Sequence, residues 1–186
     1  HGHIFDMLDE MLKEGCSCNY FWTEGSPLTL DEFSKRYPQI KRVDNKSDIL
    51  NDDTIDMILI SSIPKDRANL SIDAMKAGKD VMVDKPGCTT LEQLNNLKQT
   101  VKSTGKIWSI NFSERFHVAA VTKAEELVAD GKIGKVKQTI GTGPHRQGNY
   151  ERPDWFYDRD SYGGIITDIG SHQIHQFLVF TNSNEA

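Results

Sequence analysis

The sequence has no long hydrophobic run, few cysteines and no cluster of basic residues. Its apolar runs, such as 57–60 and 177–180, are far shorter than the ~18 residues that a membrane-spanning helix needs. The three cysteines (Cys16, Cys18 and Cys88) include no CxxC pair, so we interpret them as reduced thiols. No signal-peptide pattern opens the chain. Together these absences predict a cytosolic protein with no membrane partner.

The charge balance is mildly acidic, with 22 Lys+Arg against 27 Asp+Glu and a net charge of −5. Such a chain has no general attraction to phosphate backbones, so nucleic acid is not an expected partner. The 37% hydrophobic and 26% charged residues exclude disordered, collagen-like and coiled-coil proteins. The 186 residues allow one domain, or one domain and part of a second.

Apolar periodicity and turn residues predict alternating strands and helices. Helices are predicted over 4–12, from Thr29, over 67–77, from Thr90 to about 103, over 118–129 and from about 164. Strands are predicted over 18–22, 55–60, 81–83, 106–112 and 135–142. Thr29 with Glu32, and Thr90 with Gln93, are capping-box patterns. This alternation predicts an α/β fold with a doubly wound parallel sheet, which binds ligands beyond the carboxyl ends of its strands.

One predicted helix carries Asp168, His172 and His175 at helical spacing. At about 100° per residue these three side chains fall on one face. A carboxylate one turn from an imidazole can orient the ring, and histidine titrates close to neutral pH. The alternative is a carboxylate favoured by the helix dipole beside an ordinary polar histidine.

Asp84-Lys85-Pro86 directly follows the strand predicted over 81–83. A lysine at the carboxyl end of a parallel strand lies where ligands bind, and it can donate a hydrogen bond to a substrate hydroxyl. A solvated turn lysine is the competing interpretation.

The segment 143–162 is predicted to be a long loop rich in aromatic and basic residues. Donors interleaved with rings suit a polyhydroxylated or carboxylated small molecule, whereas an aromatic lid packed over the sheet is the plainer interpretation. The residues concerned are His145, Arg146, Arg152, Trp155, Tyr157, Arg159 and Tyr162. A metal site formed by Asp168, His172, His175 and His145 is a less favoured alternative, and we predict no metal.

Taken together, three motifs resemble the Gfo/Idh/MocA oxidoreductases, the family of glucose-fructose oxidoreductase and inositol dehydrogenase. They are Asp84-Lys85-Pro86, the run from Asn111 to Phe116, and the block from Gly163 to His175. The resemblance runs from the first helix to the last residue. It implies a Rossmann-type dinucleotide-binding domain over 1–116, without its first strand and glycine-rich loop, and the start of an α+β substrate domain over 117–186.

The same resemblance implies a function and a set of site residues. The activity would be hydride transfer between NAD or NADP and a sugar, cyclitol or related hydroxy compound. His172 would be the general base, Lys85 would polarise the substrate oxygen, and Asp168 would orient the imidazole. The implied cofactor contacts are Thr23, Glu24, Ser61, Ser62, Pro64, Asp84, Lys85 and Asn111. The implied substrate contacts are Lys85, His145, Arg146, Trp155, Tyr157, His172 and His175.

The sequence departs from the family pattern at three positions. The family usually has Glu where Asp84 stands, often His where Arg67 stands, and often Asp where His175 stands. Glu24 slightly favours NAD over NADP, because an acidic residue after the second strand binds the adenosine ribose. The natural protein is expected to be longer at both ends and to form a homo-oligomer.

Two other function classes remain open from the sequence. One is a noncatalytic dinucleotide-binding regulatory protein on the same scaffold. The other is an NAD-using glycosidase or a metal-assisted hydrolase.

Overall fold

The computed structural model describes residues 9–18, 20–21, 30–142 and 152–184. Residues 9–13 are helical. The elements that follow, in chain order, are β1 (Tyr20–Phe21), α1 (Leu30–Arg36), β2 (Lys41–Arg42), α2 (Lys46–Leu50), β3 (Met57–Ile60), α3 (Pro64–Lys76), β4 (Asp80–Asp84), α4 (Leu91–Thr104), β5 (Trp108–Asn111), α5 (Ser113–His117), α6 (Ala119–Ala129), a 3₁₀ turn (Asp154–Phe156), α7 (Arg159–Tyr162), a π-helical segment (Ile166–Gly170) and α8 (Ser171–Thr181). Strands and helices alternate through β5, which confirms the α/β class.

All paired strands in the described ranges are parallel and form two sheets. β1 pairs with β2, and β3, β4 and β5 lie side by side in that order. In the larger sheet Ile60 pairs with Val83, and Asp84 pairs with Asn111. The carboxyl ends of three strands therefore meet at one edge.

The main core lies between β4 and the helices α3 and α4. Val81 and Val83 alternate with less buried neighbours along β4, and both are almost fully buried. Ala68, Ser71 and Ala74 form a stripe of small buried residues on α3. Small side chains at this spacing let α3 pack closely on the sheet, because they share one helical face.

The capping pattern at Thr90 is confirmed. The Thr90 side chain accepts a hydrogen bond from the Gln93 backbone N–H at 3.1 Å, and the Gln93 side chain accepts one from the Thr89 N–H at 2.8 Å. Gly105, with φ of 66°, ends α4 in the left-handed conformation. The other predicted capping box begins at Thr29, which lies outside the described residues.

Other predicted boundaries need correction. The strand expected over 135–142 is wrong, since this segment has no regular structure in the described part of the chain. A segment forms a strand only where a neighbouring strand supplies hydrogen bonds, and among the described residues β3, β4 and β5 pair only with one another. α3 begins three residues earlier than predicted because Pro64 starts it favourably. The short elements β2, α2 and α5 were not predicted, nor were the 3₁₀ turn and α7, which lie in the segment expected to be a loop.

The described residues contain no helix that is long and apolar enough to cross a membrane.

Candidate functional site

Polar side chains occupy the edge where β3, β4 and β5 end. Ser61 and Ser62 follow β3, Asp84 ends β4 and Asn111 ends β5. Pro64 begins α3, and no side chain caps the first turn of that helix. Hydroxyl, amide and backbone N–H groups at the end of a parallel sheet suit a nucleotide. These predicted cofactor contacts therefore lie at one edge.

Lys85 extends from this edge to Asp168. Its Nζ atom donates to Asp168 Oδ1 at 2.6 Å and to the Asp168 backbone oxygen at 3.1 Å. Only 18% of the Lys85 side chain and 12% of the Asp168 side chain are exposed. Two of the predicted catalytic residues, 83 positions apart, thus form one partly buried ion pair.

Arg67 holds the backbone on which Lys85 is mounted. Its guanidinium donates to the backbone oxygens of Ser62, Asp84, Lys85 and Pro86 at 2.8, 3.1, 2.5 and 3.1 Å. It also reaches the Asp84 carboxylate at 3.4 Å. Burial lowers the pKa of Arg67, while Asp84 and Asp168 oppose that shift.

Sequence reasoning noticed Arg67 only as a departure from the family pattern. A stronger signal was available, because Arg67, Ser71 and Ala74 share the buried face of α3. A charged residue on such a face needs several partners to offset its lost hydration.

Asp168 lies in the π-helical segment that precedes α8. Gly163 and Gly164, with φ of 87° and 90°, form the turn before this segment, and the Asp168 N–H donates to the Gly164 oxygen at 2.9 Å. π-helical turns inside longer helices occur frequently at functional sites. This turn places Asp168 beside Lys85 at the end of β4, about one helical turn before His172.

His172 lies in the first turn of α8, is 4% exposed and faces the end of β5. Its ring contacts Phe112 edge to face, with centroids 6.0 Å apart. Its Nε2 atom lies 4.0 Å from Glu114 Oε1, and Gln176 donates to the other oxygen of Glu114 at 3.4 Å. Glu114 was not predicted as a site residue, and the Asp168 carboxylate, predicted to orient the imidazole, accepts a hydrogen bond from Lys85.

His175 stacks on Phe112, the same ring that His172 contacts edge to face. Its ring is nearly parallel to that of Phe112, with centroids 4.2 Å apart. Burial lowers the pKa of His175, the nearby Arg115 lowers it further, and Glu125 opposes the shift. Arg115 and Glu125 are joined by hydrogen bonds of 3.0 and 2.6 Å. A neutral imidazole is therefore favoured at this position.

The remaining predicted substrate and cofactor contacts either pack against Phe156 or lie outside the described residues. The ring contacts of Trp155 and Tyr157 are both with Phe156, and Tyr157 is 60% exposed. Thr23, Glu24, His145 and Arg146 fall outside the described residues.

The metal alternative gains no support from the part of the chain that the structure describes. Within it, no group of three His, Cys, Asp or Glu side chains could hold a metal ion. His145, the fourth ligand of that alternative, lies outside it.

Family models match both parts of the chain. The model described as "Oxidoreductase family, NAD-binding Rossmann fold" matches residues 29–112. The model described as "GFO/IDH/MocA C-terminal domain" matches residues 121–185. The two matches span the strand edge and the helix that carries Asp168 and His172.

Named relatives agree with these matches. The chain is 29% identical to D-xylose dehydrogenase of Paenarthrobacter nicotinovorans over 67% of its own length and 33% of that protein. It is 23% identical to scyllo-inositol 2-dehydrogenase (NADP(+)) of Bacillus subtilis over 96% of its length and 47% of that protein. The chain thus spans less than half the length of these curated relatives.

A solved structure from Erwinia carotovora atroseptica SCRI1043, named as an oxidoreductase, superposes with a TM-score of 0.90 at 41% identity. That match covers 98% of this chain and 54% of the other. The chain belongs to the Gfo/Idh/MocA family of oxidoreductases, and its parallel sheet is the NAD-binding Rossmann fold of that family.

Proposed function

We propose that the protein catalyses NAD(P)-dependent hydride transfer at a carbinol carbon of a polyhydroxylated small molecule such as a sugar or cyclitol. The observation that carries the proposal is the Lys85–Asp168 ion pair, one helical turn from the buried His172, at the carboxyl edge of the sheet. The names of the xylose and inositol dehydrogenases support this substrate class.

The residues present fit a nicotinamide dinucleotide. Ser61 and Ser62 offer hydroxyl groups, Asp84 and Asn111 face each other in register, and no side chain of the described residues caps the start of α3. These are the groups that would hold the dinucleotide at the strand ends. When bound, it would supply the ring carbon that exchanges the hydride with the substrate.

Two side chains carry the proton chemistry. His172 takes the proton of the substrate hydroxyl, since imidazole titrates near the working pH. Lys85 donates a hydrogen bond to the same oxygen and stabilises the negative charge that develops on it. Asp168 fixes the Lys85 ammonium through its Oδ1 atom, and its role of orienting the imidazole remains proposed from the family resemblance.

Stacking between His175 and Phe112 makes one wall beside His172. Because the His175 ring is favoured in its neutral form, this wall presents a ring nitrogen where the family often has a carboxylate. We assign His175 to substrate contact. His145, Arg146, Trp155 and Tyr157 remain proposed substrate contacts, and Thr23 and Glu24 remain proposed cofactor contacts. NAD is slightly favoured over NADP.

The test is a turnover assay on the natural full-length polypeptide with NAD or NADP and a panel of sugars and inositols. Absorbance at 340 nm should change only when dinucleotide and substrate are both present. Lys85→Ala and His172→Ala should each lower kcat by about 10²- to 10⁴-fold, with dinucleotide affinity nearly unchanged. Lys102→Ala, at an exposed position in the last turn of α4, is the matched lysine control and should leave kcat unchanged.

The outcomes separate the functions left open by the sequence. Wild-type turnover in both site variants would remove the assignment of Lys85 and His172. Dinucleotide binding with no absorbance change on any substrate would contradict the proposal and leave two alternatives: release of sugar from a glycoside would indicate the NAD-using glycosidase, and no release would indicate the noncatalytic protein. The domain boundary near 116, the cytosolic location and the homo-oligomer stay predictions.

A further inference from the structure

Arg67 joins two loops that the proposed mechanism uses separately. Its Nε atom donates to the Ser62 oxygen in the loop after β3, and its Nη1 atom donates to the oxygens of Asp84, Lys85 and Pro86 after β4. The arginine is 5% exposed. A single buried guanidinium therefore fixes the distance between a proposed cofactor loop and the backbone of the proposed catalytic lysine.

The chemistry of this contact requires arginine. A guanidinium is a rigid planar fork with five N–H donors, whereas a lysine ammonium is a compact charge on a flexible stem. Only the fork can serve backbone oxygens on two loops while also reaching the Asp84 carboxylate at 3.4 Å. Several charge-assisted hydrogen bonds also offset the cost of burying this charge.

From this geometry we infer that Arg67 is a positioning residue for Lys85. It acts on the backbone of the Asp84-Lys85-Pro86 segment, so that the Lys85 side chain leaves the strand end at a fixed point and meets Asp168. This inference rests on the proposed function for the role of Lys85, but the clamp itself can be tested without activity. Removal of the Arg67 guanidinium should leave the sheet intact and displace the Lys85 side chain.

A second buried cation provides the matched control. Lys79 is 3% exposed and donates to the Asp52 backbone oxygen at 2.7 Å, at the opposite end of β4. Removing Lys79 also removes a buried charge and its hydrogen bond, but it does not touch the segment that carries Lys85. Effects common to Arg67→Ala and Lys79→Met report general stability, and effects confined to Arg67→Ala report positioning.

The first measurement is hydrogen exchange in the natural full-length polypeptide. The Lys85 backbone N–H donates to Asp84 Oδ1 at 2.9 Å, so its exchange rate reports the order of this segment. In Arg67→Ala we expect exchange at Lys85 to accelerate by about tenfold or more, with the interior of β4 within about threefold of wild type. In Lys79→Met the Lys85 rate should stay at the wild-type value. An unchanged Lys85 rate in Arg67→Ala overturns the inference.

The second measurement separates kcat from KM. Arg67→Ala should lower kcat by about 10- to 100-fold, because a misplaced group loses alignment with the reacting atoms, while KM for the dinucleotide changes by less than about threefold. Added guanidinium ion should restore part of the lost kcat in Arg67→Ala and have no such effect in Lys79→Met. A kcat within about threefold of wild type, or a loss of kcat that guanidinium does not reduce, counts against the inference.

Two further outcomes are kept distinct. If Arg67→Ala does not fold, Arg67→Lys retains the charge without the fork, and wild-type kcat in a folded Arg67→Lys variant overturns the positioning role. If the wild-type protein turns over no tested substrate, the proposed function fails, and the exchange rates still decide whether Arg67 orders Lys85.

Discussion

Two lysine–carboxylate pairs of nearly equal length lie in contrasting regions of the molecule. Lys85 meets Asp168 at 2.6 Å at the end of β4, with 18% and 12% of the two side chains exposed. Lys123 meets Glu126 at 2.7 Å on the outer face of α6, with 66% and 57% exposed. The first pair joins residues 83 positions apart, and the second joins residues three apart. The two pairs should therefore contribute differently to stability despite their similar distances, because water screens the exposed Lys123–Glu126 pair much more than the partly buried Lys85–Asp168 pair.

The largest expected effect comes from Asp168→Asn. This change leaves the Lys85 ammonium partly buried without its carboxylate, and breaking such a pair should lower the free energy of unfolding by about 2–4 kcal/mol. Glu126→Gln, the equivalent change on α6, should alter it by less than about 0.5 kcal/mol. Denaturant unfolding of both variants measures the difference. Equal losses in the two variants would remove the distinction between the regions.

The second comparison uses two glycines with positive φ, one in each region. Gly163 (φ 87°) precedes the π-helical segment, and a Cβ atom there would lie 3.0 Å from Thr89 Cγ2. Gly131 (φ 69°) follows α6, and a Cβ atom there would meet no atom within 4 Å. Gly131→Ala should cost about 1 kcal/mol, which is the backbone penalty alone. Gly163→Ala should cost about 2–3 kcal/mol, because overpacking against Thr89 is added.

Thermal or denaturant unfolding of the two glycine variants provides the measurement. A larger loss in Gly131→Ala than in Gly163→Ala would show that contact with Thr89 does not constrain the turn before Asp168.

The smallest expected effect concerns pH and His175, which lies between the two regions. Burial and Arg115 lower its pKa in the folded protein, so the unfolded chain binds more protons as the pH falls. This contribution to stability is present above about pH 6.5, the ordinary pKa of histidine, and is lost as the pH falls below it. His175→Gln should reduce the drop in unfolding free energy between pH 7 and pH 5 by a few tenths of a kcal/mol, because the ring is only partly buried.

Unfolding curves of wild type and His175→Gln at both pH values provide this measurement. Identical pH dependence in the two proteins would show that the neutral form of His175 is not linked to folding.

Much of the sheet region could be predicted from local sequence. The strands β3, β4 and β5 came from short apolar runs, and the start of α4 came from the spacing of Thr90 and Gln93. These signals are local because each depends on residues within one helical turn or one strand. The strand predicted over 135–142 failed because alternation of side chains cannot specify a partner strand.

The proposed site was only partly accessible to the same reasoning. The spacing of Asp168 and His172 on one helix indicated that they share a face, and the position of Lys85 after β4 indicated a ligand-binding edge. Neither pattern indicated that the Asp168 carboxylate would bond to Lys85. Glu114 was missed because its approach to His172 depends on how α5 packs against α8.

The sequence by itself determined the α/β class and the main helices and strands. These properties follow from short-range periodicity, capping and residue chemistry. Only the tertiary structure decided that Arg67 holds both loops and that Lys85 pairs with Asp168. The physical reason is that contacts between residues far apart in the chain depend on the packing of whole elements and on burial, which no local pattern encodes.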